Sequence, residues 1–193
     1  MNIPGLSVNL SGYLTVRAEE GLLVLFIWLW LKRKELTIGS VTSNRWRTPR
    51  AALRDLGFGL GFLVVGIPLT SGLAFLLKVE GSTGILPHTP IEVGVYVLLA
   101  LTAGFCEELI FRGYLLQQFS ARTNSVGVGI LLQAVVFGLA HGYQGVSQMF
   151  VITFYGCLFG AFVIWRKSLL PAMIAHGTED MMAGLVYFFQ GLK

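Results

Sequence analysis

The sequence predicts an all-α fold, a polytopic bundle of about six transmembrane helices, and three observations predict it. Of 193 residues, 54% are hydrophobic and only 12% charged, whereas a soluble domain of this size carries about a quarter charged residues to cover its surface. Mean hydropathy is +0.71, so most of the surface faces something other than water, most simply lipid. The apolar residues also come in runs near the ~20 residues a helix needs to cross the hydrocarbon core, separated by short polar segments that hold most of the basic side chains.

The helices follow in order. The first is Tyr13 to Leu31, the least apolar, with Gly21 to Leu31 free of charge and Trp28 and Trp30 suited to an interfacial belt. The second is Asp55 to Lys78, uncharged from Gly57 to Leu77, with a kink expected at Pro68. The third starts near Ile91 and runs past Arg112 to about Phe119. The fourth spans Ser125 to about His141, the fifth Val146 to Trp165, and the sixth Ser168 to about Phe189. With no repeat, low-complexity tract or domain boundary, residues 1–193 read as one integral membrane domain. A multi-pass protein of the cell membrane is expected.

Charge distribution sets the topology. Eleven of the 14 Lys and Arg fall at or near one side: those in 32–54, Arg112, Arg122, Arg166 and Lys167. Arg17, Lys78 and Lys193 fall on the other, so both termini are expected to face away from the cytoplasm. The net charge of +4 therefore reflects topology, and no nucleic-acid partner is implied. The basic 32–54 segment can also rest on anionic lipid. Cys106 and Cys157 lie in apolar runs on different helices and read as packing residues. Met1 to Gly12 lacks the basic start of a cleavable signal peptide, so the N-terminus is expected to be retained.

Two glycine patterns concern packing. Gly57, Gly59 and Gly61 are spaced GxGxG, without the GxGxxG spacing or preceding strand of a dinucleotide site, and predict close helix contact. Gly156 and Gly160 form a GxxxG in an apolar 20-mer, which predicts the same.

An ionisable group at the bilayer centre costs about 2.5–3.5 kcal/mol on insertion scales, so such groups face an interior or aqueous cavity and usually serve a function. Here they are Glu107, Glu108, Arg112, His141, His176, Glu179 and Asp180, from the third, fourth and sixth helices. At 1.5 Å per residue from the nearest turn, Glu107 lies about 18 Å deep, His141 about 24 Å, His176 about 12 Å and Asp180 about 18 Å. The levels lie within about 12 Å of one another, roughly two turns. Glu107 and Glu108 are about 100° apart on a helix and must face differently, while Glu108 and Arg112, four apart, pair along one face. That leaves Glu107 for the cavity. His176 and Asp180 are also four apart, as are Phe137 and His141. A lone membrane histidine is commonly a helix-helix hydrogen-bonder, and a Glu/Arg pair is often structural. Glu179, off the face of Asp180, reads as peripheral. Convergence of several groups on similar depths favours a site.

In order, EExxxR (Glu107, Glu108, Arg112), FxxxH (Phe137, His141) and HxxxD (His176, Asp180) resemble the CPBP family of intramembrane endopeptidases, also called the Abi family, which includes the type II CAAX prenyl proteases. Leu170, Pro171, Ala172 and His176 resemble its last motif. The likeness covers about residues 91–184. It implies peptide-bond hydrolysis without a covalent acyl-enzyme, with Glu107 and His141 activating a water, His176 and Asp180 at the oxyanion, and no cofactor. Family prenyl proteases often carry Asn where this chain has Asp180. An ionised Asp only accepts hydrogen bonds, so Asp180 is either protonated or orients His176.

The implied partners are membrane lipid and a peptide or protein substrate at the membrane, possibly lipidated. The short loops fit a prokaryotic chain, where prenylation is not expected. Two other readings use the same residues. Glu107, His141 and His176 are a two-His, one-carboxylate set of the kind that binds catalytic zinc, although HExxH is absent. Buried Glu and His also form proton relays in small transporters, although no repeat symmetry is present.

Overall fold

The computed structural model describes residues 8–42, 48–79 and 86–191. Expectations placed on Arg45, Arg47, Lys193 and the first seven residues lie outside these. The described residues are helical: α1 (Val8–Arg33), α2 (Ile38–Thr42), α3 (Pro49–Leu76), α4 (Pro90–Glu107), a π-helical segment (Glu108–Leu115), α5 (Leu116–Thr123), α6 (Val126–Ala140), a 3-10 turn (Gly142–Gln144), α7 (Val146–Arg166) and α8 (Leu170–Gly191).

Local chemistry sets the boundaries. Thr48 and Thr89 each sit in extended backbone ahead of a proline at the first helical turn and cap α3 and α4. At α4 the cap is reciprocal, because Glu92 returns to the backbone of Thr89. Ser125 caps α6 through the N–H of Val128 at 3.3 Å. Asn124 and Lys167 end α5 and α7 in the left-handed region, at φ 50° and 52°. Pro68 lies inside α3, where the hydroxyl of Thr70 donates to the carbonyl of Gly66 at 3.0 Å.

Each expected span overlaps helix, the third as α4, the π-helical segment and α5 in series, but among the described residues only three runs are long and apolar enough to cross a membrane on their own: Pro49–Leu76, Pro90–Thr123 and Val146–Arg166. The reasons differ among the others. Helix α1 carries Arg17, Glu19 and Glu20, and α8 carries His176, Glu179 and Asp180, whereas α6 is apolar but has only 15 residues, about 22 Å against a core of about 30 Å. Large apolar side chains cover the outside: Phe75 is 82% exposed and Val64 75%. The chain is a multi-pass, all-helical membrane protein.

Two close contacts between helices position the polar residues. A Cβ on Gly104 of α4 would meet the backbone N of Gly177 of α8 at 2.5 Å, and one on Gly156 of α7 would meet Ala134 of α6 at 3.1 Å. The expected GxxxG contact therefore lies within the bundle, since Gly160 also faces α6, at Ile130 and Gln133. Of the GxGxG glycines only Gly59 is crowded, against Pro171 and Ile174, while nothing lies within 4 Å of Gly57 or Gly61. Leu63, Leu109, Phe159, Leu169, Ala172 and Ala175 form the main core. At the basic end, Asp55 is fully buried and paired with Arg54 and Arg166, which ties α3 to α7.

Candidate active site

The EExxxR stretch begins where the α-helix stops. Glu107 is the last residue of α4, and Glu108 opens the π-helical segment. Its i→i+5 bonding widens the turn, and the amide of Leu116 accordingly reaches the carbonyl of Phe111. All six residues from Glu108 to Gly113 are buried, which no α-helical stripe would allow.

Glu108 accepts from Arg112 Nη1 at 2.8 Å, both side chains being fully buried. The guanidinium lies over the rings of Phe137 at 4.4 Å and Phe159 at 5.0 Å, so cation–π attraction replaces part of its lost hydration. The expected pair is present, but it is not isolated. The same oxygen, Glu108 Oε1, also accepts from His176 Nδ1 at 2.9 Å. Glu108 thus fixes the tautomer and plane of His176 from the Nδ1 side.

His176 Nε2 then faces the opposite way, 3.7 Å from Glu107 Oε2 and 3.6 Å from Asp180 Oδ2. One imidazole therefore touches both glutamates through its two nitrogens, although α-helical spacing alone sent them to separate tasks. His141, at the C-terminal end of α6, donates from Nδ1 to the carbonyl of Phe137 at 2.8 Å, which leaves Nε2 as an acceptor. Its ring packs edge-on against Phe137 with centroids 4.7 Å apart.

Glu107, His141, His176 and Asp180 all line one cavity of about 650 Å³. Phe137 and Phe159 close its floor and are 4% and 1% exposed. Beneath that floor lie Glu108 and Arg112. Six expected residues thus resolve into four that border the cavity and two buried behind it.

The sequence reading missed three contributors. Arg17 of α1 pairs with Glu20 and reaches the carbonyl of Leu99 at 3.4 Å. Glu20, 7% exposed, is the partner of that pair and is buried in the same helix. The signal was available, since two charges three apart in an apolar helix carry the same insertion cost as Glu107. Tyr155 of α7 is the third; its hydroxyl donates to Glu179. Glu179 was expected to be peripheral and instead lines the cavity, because α8 forms a wall of it and presents more than one face. Among the described residues, no three of His, Cys, Asp and Glu are arranged to hold a metal ion, so the residues present do not fit the zinc site that the two-His, one-carboxylate set implied.

Residues 89–182 match the family model described as Type II CAAX prenyl endopeptidase Rce1-like. Just under half of the chain is thus similar to an Rce1-like domain. Its limits lie within two residues of those expected from the motifs at each end, and it runs from the cap of α4 through the first half of α8. The matched model describes an endopeptidase, an enzyme class that acts on protein substrates. No curated protein and no solved structure matches the chain. The matched stretch contains every motif residue, whereas Arg17 and Glu20 lie outside it.

Proposed function

We propose that the protein is a glutamate-type intramembrane endopeptidase that crosses the cell membrane six times and hydrolyses a peptide bond with a water activated by Glu107 and His141. The observation that carries this reading is the grouping of Glu107, His141, His176 and Asp180 at the inner end of one cavity, with Glu107 and His176 3.7 Å apart.

The hydrogen-bond directions support a division of labour. Neutral His141 has its only N–H committed to Phe137, so its Nε2 accepts, as does the Glu107 carboxylate. A water donating one hydrogen to each would have a lone pair free to attack a carbonyl carbon. His176 in its imidazolium form donates from both nitrogens, Nδ1 to Glu108 and Nε2 toward the cavity, where the oxyanion of the tetrahedral intermediate would form. Glu107 would take the proton from water and pass it to the departing nitrogen as the C–N bond breaks, giving a carboxylate and an amine. Asp180 near Nε2 would keep that N–H directed into the cavity. Arg112 neutralises Glu108 and holds it in place.

The test is cleavage of a membrane peptide by purified protein in detergent. Glu107→Ala is expected to abolish cleavage, and chelator to leave the wild-type rate unchanged. Robust cleavage by Glu107→Ala would remove the assigned base, and loss of wild-type activity in chelator restored by zinc would favour a metallopeptidase.

A further inference from the structure

The cavity occupies only one end of the helices that line it. On α4 its lining runs from Tyr96 to Glu107, and on α6 it comprises Phe137 with the end residue His141. On α7 it lies between Gln148 and Phe159, and on α8 it starts at His176 and continues to Gln190. Among the described residues, nothing nearer Thr123 of α5 or the ends at Val126, Arg166 and Leu170 takes part. Exposure rises in the same direction, from Phe159 at 1% to Tyr143 at 65%. Behind the floor the packing is closed, with Glu108, Leu109 and Gln133 at 0%. The mouth is therefore at the end marked by Tyr143 and Gln190.

The fixed charges identify the two ends. Among the described residues, Lys32, Arg33, Lys34, Arg50 and Arg54 lie at the closed end, as do Arg122, Arg166 and Lys167. At the mouth end, outside the site, the described Lys and Arg amount to Lys78. Basic loops are retained in the cytoplasm, so the closed end is cytoplasmic.

We infer that the cavity is entered from the side of the membrane away from the cytoplasm, and that its substrate is the already translocated segment of a membrane-anchored polypeptide. The word substrate rests on the endopeptidase reading; the side does not. The rim chemistry fits an internal stretch of chain. Gln144, Gln148 and Gln190 present amides that both donate and accept, as a peptide main chain does, and Tyr143 and Tyr187 add flat apolar faces. Among the described lining residues Arg17 is the only Lys or Arg, and Glu20 is paired with it, so no cation is left for a free C-terminal carboxylate. A cytoplasmic lipidated C-terminus would meet the wrong end and the wrong chemistry.

The test is thiol labelling in spheroplasts of a bacterial host, on a background in which Cys106 and Cys157 are serine. Ala183→Cys and Gln148→Cys, two cavity-lining positions on different helices, are expected to react with a membrane-impermeant thiosulfonate in intact spheroplasts. Arg122→Cys, exposed at the other end, is expected to react only after permeabilisation. Reaction of the cavity cysteines only after permeabilisation, or labelling of Arg122→Cys alone in intact spheroplasts, would overturn the inference. A second arm adds a bilayer-anchored, quenched-fluorescence peptide library to proteoliposomes of sorted orientation. Cleavage is expected only where the Gln190 end faces the peptides; cleavage only from the other face overturns the inference. Labelling from outside together with no cleavage in either orientation would keep the side of access and refute the peptidase.

Discussion

Replacing Glu108 by alanine removes the acceptor shared by Arg112 and His176, at 2.8 and 2.9 Å. Two effects compete for the magnitude. Hydrogen bonds between membrane helices average only about 0.6 kcal/mol in mutant cycles, so the two bonds together contribute about 1 kcal/mol. Leaving a buried charge without its partner costs about 3–5 kcal/mol, and here the guanidinium is 0% exposed, so solvent screening does not reduce the figure. The second effect dominates. Glu108→Ala is therefore expected to lower the unfolding free energy by about 3–5 kcal/mol, measured by denaturant titration or steric trapping in bicelles. Glu108→Ala combined with Arg112→Met removes charge and counter-charge together and is expected to recover most of that loss, although His176 still lacks its acceptor. A cost below about 1 kcal/mol for the single variant, or a double variant as unstable as the sum of its parts, would refute the argument that the pair is held by mutual neutralisation.

Other outcomes follow from the same geometry. Glu107→Gln is expected to reduce cleavage by about 10²–10⁴-fold with unfolding free energy unchanged to within about 1 kcal/mol, read by peptide turnover and denaturant titration on one preparation. Glu20→Gln keeps a polar group beside Arg17 and is expected to retain more activity than Glu20→Leu, although both remove the counter-ion of Arg17; equal kcat values for the two would remove Glu20 from the site. Gly104→Ala places a Cβ where the backbone of Gly177 lies and is expected to destabilise by about 1–3 kcal/mol. Gly57→Ala meets nothing within 4 Å and is expected to be neutral or stabilising by up to about 1 kcal/mol.

Much of the site was legible because lipid makes charge conspicuous. Glu107, Glu108, Arg112, His141, His176 and Asp180 each stand out against an apolar helix, and counting residues from the turns placed them at similar depths. Angular placement was less accessible. The 100° rule sends Glu107 and Glu108 apart and leaves His176 one of them, whereas the π-helical segment and the contact between Gly104 and Gly177 bring both within reach of a single imidazole. Nothing in ELIFRGYL announces i→i+5 bonding. The first helix was undervalued for the opposite reason: its charges made it look like a poor span, when Arg17 lines the cavity and Glu20 pairs with it.

Where Gly104 meets Gly177, two main chains touch with no side chain between them. A seam of that kind has no side chain to repack, so the separation of α4 and α8 is fixed by backbone contact next to the place where Glu107 and His176 meet. Helix α1, by contrast, reaches α4 through the long side chain of Arg17, which meets the carbonyl of Leu99 and the hydroxyl of Thr102. A substitution on α1 can therefore reshape the cavity wall while the seam between α4 and α8 keeps Glu107 and His176 facing each other.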